Sequence, residues 1–414
     1  MIKQKLDSLI GNSENLTTEF KLISYQLKPE TVTYLQHSES KKLDTVLVVS
    51  NDFIKYRTID RIISPLRLID IGQDIKSPLY RMRNRYFFLT KIPDHQLGIY
   101  NNEQLGLLID IKPDFQSHFS GLFSAARDIK KSWYLTGEMD FHLENIWRTA
   151  GQLNIYWQKL DSTSQTLRMH MFEPHPFGWT LGTDWSYSHE IVDGLFTDLK
   201  SKAAVQIPGY ILGSFYFGYV SGKIIPTGKG ELYGYLKSRF QGLSVMFDHN
   251  SHNSRFLPKH GSLMNFNTDF GIQDDITYIQ AEIEADHHFS LNENWNIVTS
   301  LWGKMIVLDQ GNVSEARQIR FGGINRLRGY RDKEFRADAV SIPTIEFHYQ
   351  PSEYWRTEFF IDTGLIKGLD YRPIGLGIGF SQLTDSALIQ VQYALSKRDE
   401  FKEGKLHLKW ISRL

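Results

Sequence analysis

The chain has 414 residues, with 47 basic and 47 acidic side chains and no cysteine. The balanced charge gives no general nucleic-acid footprint, and the missing cysteines exclude disulfides, thiolate metal sites and cysteine nucleophiles. The mean hydropathy of -0.34 looks soluble, and no run of about eighteen apolar residues could form a transmembrane helix. Neither fact bears on a membrane β-barrel, where only alternate residues meet lipid.

Residues 1–45 are polar and mixed. They read as a linker or the remnant of an upstream module, with a short helix at Ile2 to Ile10 and a weak strand near Phe20 to Leu27. The start, Met1 to Asp7, carries no apolar core of signal-peptide length. For an exported protein the expectation is a signal already removed from this numbering, or a chain that is a fragment. The texture changes near Val46. Thr45 to Ser50 reads as an apolar strand and Thr58 to Ile63 as a basic-apolar one. Leu79, Met82, Tyr86 and Leu89 recur at helical spacing over Pro78 to Thr90. Leu97 to Tyr100 and Gln104 to Ile111 alternate around the turn-forming Asn101-Asn102, which predicts a hairpin. Residues 46–113 therefore form a small α+β unit.

Beyond Pro113 one pattern repeats to the end. Trp133, Leu135, Met139, Phe141 and Leu143 alternate with Tyr134, Thr136, Glu138, Asp140 and His142. Ile279, Ala281, Ile283 and Ala285 alternate with Gln280, Glu282, Glu284 and Asp286. A strand with lipid on one side and a wet lumen on the other alternates in this way. About sixteen such segments fill residues 114–414, an even number within the range of membrane barrels. Ser117 to Ala126 would be the first strand and Gly404 to Leu414 the last, meeting to close the ring. The 13% of aromatics and the 31 glycines fit such a surface.

A long loop, residues 309–338, separates the alternating stretches Trp295 to Leu308 and Val340 to Tyr349, and about five strands follow it. Long loops in compact proteins are usually functional or disordered. Gly322, Gly323 and Gly329 permit tight turns, while Leu327 and Tyr330 give the loop apolar anchors, so it is expected to pack against something. If Ile345, Phe347 and Tyr349 face lipid, Glu346 and His348 face the lumen. The same parity puts Glu358, Phe360 and Asp362 inside. Glu346 and Asp362 then both point into the lumen, where carboxylates on neighbouring strands can hold a guanidinium in a fixed geometry.

The cluster Phe321-Gly322-Gly323 with Leu327-Arg328-Gly329-Tyr330 resembles the loop motif of the outer-membrane assembly barrels. This is the BamA-like surface-antigen superfamily, with its TamA-like factors and two-partner secretion transporters. Phe360-Ile361-Asp362-Thr363-Gly364 resembles that family's Phe-x-Asp-x-Gly strand motif, and Glu346 the glutamate of the strand between. The resemblance runs from about residue 48 and is strongest at 318–364. It implies an all-β transmembrane barrel of about 16 antiparallel strands behind a POTRA-like periplasmic domain at 46–113. It also implies that Arg328, pairing with Glu346 and Asp362, locks the loop inside the barrel. The implied partners are unfolded outer-membrane or secreted client proteins, outer-membrane lipid and accessory assembly proteins, and the implied place is a bacterial or organellar outer membrane. In that family the seam between first and last strands pairs weakly and opens sideways; Gly121 is the one glycine here that would favour this.

No Gly-x-Ser-x-Gly elbow or Walker loop is present, and Gly228-Lys229-Gly230 reads as a hairpin turn. No catalytic, cofactor-binding or metal residues are assigned. His249, His252 and His260 read as solvated loop histidines, and His287 and His288, being adjacent, point to opposite faces. The arginines Arg317, Arg320, Arg326, Arg328, Arg331 and Arg336 are expected to seat the loop against Glu282, Glu284, Glu346, Glu358 and Asp362. The expected function is insertion of β-barrel clients into the outer membrane, or protein secretion across it, without catalysis. The alternatives are a passive porin or receptor barrel, and the membrane anchor of an upstream enzymatic domain.

Overall fold

The computed structural model describes residues 18–27, 30–38, 43–49, 53–70, 74–100, 104–127, 133–207 and 213–414. The chain divides into two compact units, Met1–Pro113 and Asp114–Leu414. In the first, strands Thr18–Leu27 and Glu30–Ser38 form an antiparallel hairpin. The expected strand near Phe20 is present with a partner that the sequence did not suggest, and the helix expected at Ile2 to Ile10 lies outside the described residues.

The rest of this unit runs strand Thr45–Val48, helix Tyr56–Ile63, helix Lys76–Arg85, then strands Asp94–Tyr100 and Gln104–Asp110. Gln104–Asp110 is central in the sheet, parallel to the first strand and antiparallel to Asp94–Tyr100. The strand expected at Thr58 to Ile63 is a helix. Thr58, Ile59, Ile62 and Ile63 are buried on one side of it and Arg57 and Arg61 are exposed on the other. Six residues were too short a window to separate a period of two from one of 3.6. Leu79, Phe88, Leu107 and Ile109 form the dry centre, each fully buried.

The second unit is a closed antiparallel barrel of sixteen strands, from His118–Arg127 to Lys405–Arg413. Trp355–Thr363 bends at Gly364 and continues as Leu365–Ile366, both pieces pairing with Ala339–Tyr349. Alternation in the sequence becomes two faces: Ile361 is 53% exposed on the outside, whereas its neighbour Asp362 is 1% exposed within. Phe217, Leu243, Ile279, Phe347 and Phe359 extend the exposed apolar band around the wall, an area that lipid covers in a membrane barrel. Trp295, Tyr349 and Trp355 cluster near one rim, with ring centroids 4.9 and 5.7 Å apart in tilted and edge-on contacts, as in an aromatic girdle.

The chain enters and leaves the barrel at one mouth, because sixteen strands return it to the side where it began. The hairpin connections 251–260 and 291–294 lie at that entry mouth, and the loop 309–338 starts from the opposite, far mouth. At the far mouth Gly228–Leu232 is a short helix rather than the bare hairpin turn expected, with Thr227 accepting from the Gly230 amide.

Closure is uneven. Thirteen residue pairs join Gly261–Gln273 to Ile276–Ser290. At the seam, only Ser412 with Phe119 and Arg413 with His118 are paired among the described residues, helped by a hydrogen bond from the Leu414 amide to the Ser117 carbonyl.

Candidate functional site

Loop 309–338 folds back into the lumen. Within it Ile319–Phe321 and Phe335–Ala337 pair as a small hairpin, and Ile319, Phe321, Leu327 and Phe335 bury themselves against Trp302, Ile306, Val340 and Ile342 of the wall. This apolar contact gives the loop a fixed seat and offsets the ordering of thirty residues. Leu327 takes a left-handed φ of 64°, a conformation costly for leucine. It is held there by burial to 1% exposure.

The next residue carries the central contact. Arg328 Nε donates to Asp362 Oδ2 at 2.9 Å and its Nη2 to Oδ1 at 2.7 Å. The Arg328 backbone amide reaches Oδ2 at 2.8 Å, and Thr344 Oγ1 reaches Oδ1 at 2.9 Å. Asp362 thus receives four donors, about the full capacity of a carboxylate. The same Nη2 lies 2.7 Å from Glu346 Oε1, and the guanidinium carbon stands 3.5 Å from the centre of the Phe360 ring. Burial works against the charge on Arg328, but the Asp362 hydrogen bonds and Glu346 hold it cationic, above even the ordinary arginine range.

The tip needs a smooth wall behind it. Gly329, at φ 91°, lies on the backbone of Leu395 and Ser396, and a Cβ at Gly375 would run into the Arg328 carbonyl oxygen. Gly377 makes room for the Phe360 ring and Gly379 for Glu358. Tyr330 donates from its hydroxyl to the Ile374 carbonyl at 3.3 Å. Gly322 and Gly323 turn the chain at φ 127° and 89°, with Arg331 and Asp332 close by, and Gly364 donates its amide to the Pro373 carbonyl at the bend.

The other loop arginines spread further than the sequence suggested. Arg326 reaches Glu284 at 3.1 Å, as expected. Arg320 and Lys333 instead share Glu190 on the far wall, at 2.9 and 2.6 Å. Arg317 stacks 3.8 Å over Phe240, and Arg336 lies near Asp193 and Glu315. Two carboxylates expected to hold the loop do not. Glu282 is taken by Lys304 and the Trp302 indole, and Glu358 by Arg356, because nearer strand neighbours fill their hydrogen-bonding capacity. Glu190 gave no signal in the sequence, whereas the row Gly375, Gly377, Gly379 was there to be read as an inward groove.

Fold and site together define a sixteen-stranded transmembrane barrel whose own loop crosses the lumen and is held there by an arginine on two adjacent strands. Residues 135–396 match the Omp85 superfamily domain, and the chain belongs to that family. It is an outer-membrane β-barrel of the BamA type. No curated protein matches the sequence. Among solved structures, CdiB from Escherichia coli superposes with a TM-score of 0.62 at 11% identity, over 100% of this chain and 83% of that one. CdiB from Acinetobacter baumannii gives 0.60 at 12%, over 99% and 80%. BamA from Haemophilus ducreyi lacking POTRA domains 1–3 gives 0.54 at 13%, over 99% and 92%. At these identities the likeness is one of fold.

Proposed function

We propose that this protein inserts β-barrel clients into the outer membrane, or passes proteins across it, and that insertion proceeds at the seam. The observation that carries this reading is the two-pair contact between His118–Arg127 and Lys405–Arg413. Parting these strands breaks few hydrogen bonds and presents two edges whose backbone groups can pair with any incoming strand, whatever its side chains. The client's own folding supplies the free energy.

Residues 46–113 act as a POTRA-like domain in the periplasm, followed by a barrel at 114–414. The strand-helix-helix-strand-strand order supports this, and so does the edge strand Asp94–Tyr100, where Leu97 and Ile99 are exposed. Such an edge can receive an extended client by strand addition, with accessory assembly proteins as further partners. Arg328, with Glu346 and Asp362, locks the loop to the wall and keeps the lumen in one shape.

Depletion in the native host followed by an outer-membrane proteome tests the proposal. General loss of barrels supports insertion, and loss of one exported protein supports secretion. An unchanged proteome, together with steady ion conduction by the purified barrel, would instead make it a passive pore.

A further inference from the structure

At the entry mouth a second loop, residues 251–260, also turns inward. Leu257 is buried against Leu388 and Ile411, and its carbonyl accepts from Gln350 Nε2 at 3.2 Å. Arg255 Nη1 pairs with both oxygens of Glu144, at 2.7 and 2.8 Å. This anchoring brings His252 to the inner face of Ile276–Ser290. It is not the solvated loop histidine that the sequence suggested: its side chain is 12% exposed. Asp286 and His288 are two residues apart on that strand and so share the inward face, whereas His287 points the other way and meets Ser262.

His252 Nε2 lies 2.7 Å from Asp286 Oδ1, and His288 Nε2 lies 3.6 Å from the same oxygen. The three ligand atoms all fall within 4.8 Å of one another. In a tetrahedral site with ligands at about 2.0–2.1 Å, neighbouring ligand atoms stand about 3.3 Å apart, so small side-chain shifts would close the group on a cation. The surroundings favour this. His288 Nδ1 faces the Asn296 side-chain nitrogen at 3.4 Å, while Asn296 Oδ1, fully buried, has no hydrogen-bond partner. Turning that amide over gives the Nδ1 proton a carbonyl acceptor and leaves Nε2 free as a ligand, the usual way an outer-shell oxygen fixes the tautomer of a metal-binding histidine. Two imidazoles and one carboxylate suit zinc, cobalt, nickel or copper rather than calcium or magnesium.

We propose that His252, Asp286 and His288 form a site for a divalent transition-metal ion, with remaining positions open to lumen water, and that the ion pins residues 251–260 to the barrel wall. The same loop reaches both sides of the seam. Phe256 lies 5.7 Å from the His118 ring and 5.6 Å from the Arg413 guanidinium, Leu257 touches Ile411, and Arg255 holds Glu144 of the second barrel strand. A bound ion therefore stiffens a clasp across the closure.

The test is a Co2+ titration of the folded full chain, without an affinity tag, read by visible absorption and by metal content after dialysis. One equivalent is expected, displaced by Zn2+. His252→Ala and His288→Ala should each lose more than the roughly 10–100-fold typical of an outer-shell change, Asn296→Ala should fall within that range, and His287→Ala should bind normally. Asp286→Asn keeps the shape of the site and should also lose binding, which covers a histidine variant that fails to fold. Zn2+ should raise the temperature of the heat-modifiable transition in the wild type but not in these three ligand variants. Absence of stoichiometric binding by folded protein overturns the site. So does binding that survives loss of both His252 and His288, or that falls equally with His287→Ala.

Discussion

With four donors on Asp362 and a shared Nη2 on Glu346, the Arg328 contact depends on the planar fork as much as on the charge. Arg328→Ala leaves two carboxylates inside the barrel without their cation, a loss of about 3–5 kcal/mol by comparison with other broken buried pairs. The expected outcome is a barrel that still forms but whose heat-modifiable transition falls and whose client yield drops. Arg328→Lys keeps the charge, loses the two-pronged contact and should fall between the two. Unchanged yield in both Arg328→Ala and Asp362→Ala would remove the lock from the mechanism. Glu346 and Asp362 were legible in the sequence because strand parity aims both inward, whereas the inward fold of Arg328 was legible only through the resemblance of its loop motif. Glu190 was not, since it meets Arg320 across the lumen from 130 residues earlier in the chain, and no periodicity encodes that distance.

At the scale of elements, the strand Ile374–Leu383 presents Gly375, Gly377 and Gly379 to the lumen on alternate residues. Gly375→Val is expected to push the loop tip off the wall while every charged partner stays in place. It should reproduce the lowered transition and yield of Arg328→Ala, and a wild-type transition would mean that the tip can shift without cost. The barrel strands were readable because each is long enough to repeat its alternation several times. The Tyr56–Ile63 helix was not, because its four buried positions span fewer than two turns. The two-pair seam was also hidden. Glycine content, which offered only Gly121, does not report where strands part.

For the whole molecule, the seam separates the two routes a client could take. Phe119 and Ser412 are direct partners, so their Cα atoms lie at about the 4.5–5.5 Å of an antiparallel pair, within reach of a disulfide. The chain has no other cysteine, which makes the cross-link unambiguous. Oxidised Phe119→Cys/Ser412→Cys protein should stop inserting barrels and recover on reduction, if clients use the seam. Full activity when oxidised would send clients through the lumen instead, past two inward loops that enter from opposite mouths.

The unpaired length of that seam also acts on the lipid beside it. Beyond Phe119 the first strand has no described cross-strand partner on its seam side, and bare amides in hydrocarbon cost several kcal/mol each. Acyl chains cannot solvate such groups, so water or headgroups must. The bilayer next to this line should be locally thinned and wetted, giving a patch of weakened membrane at the spot where a new protein would arrive.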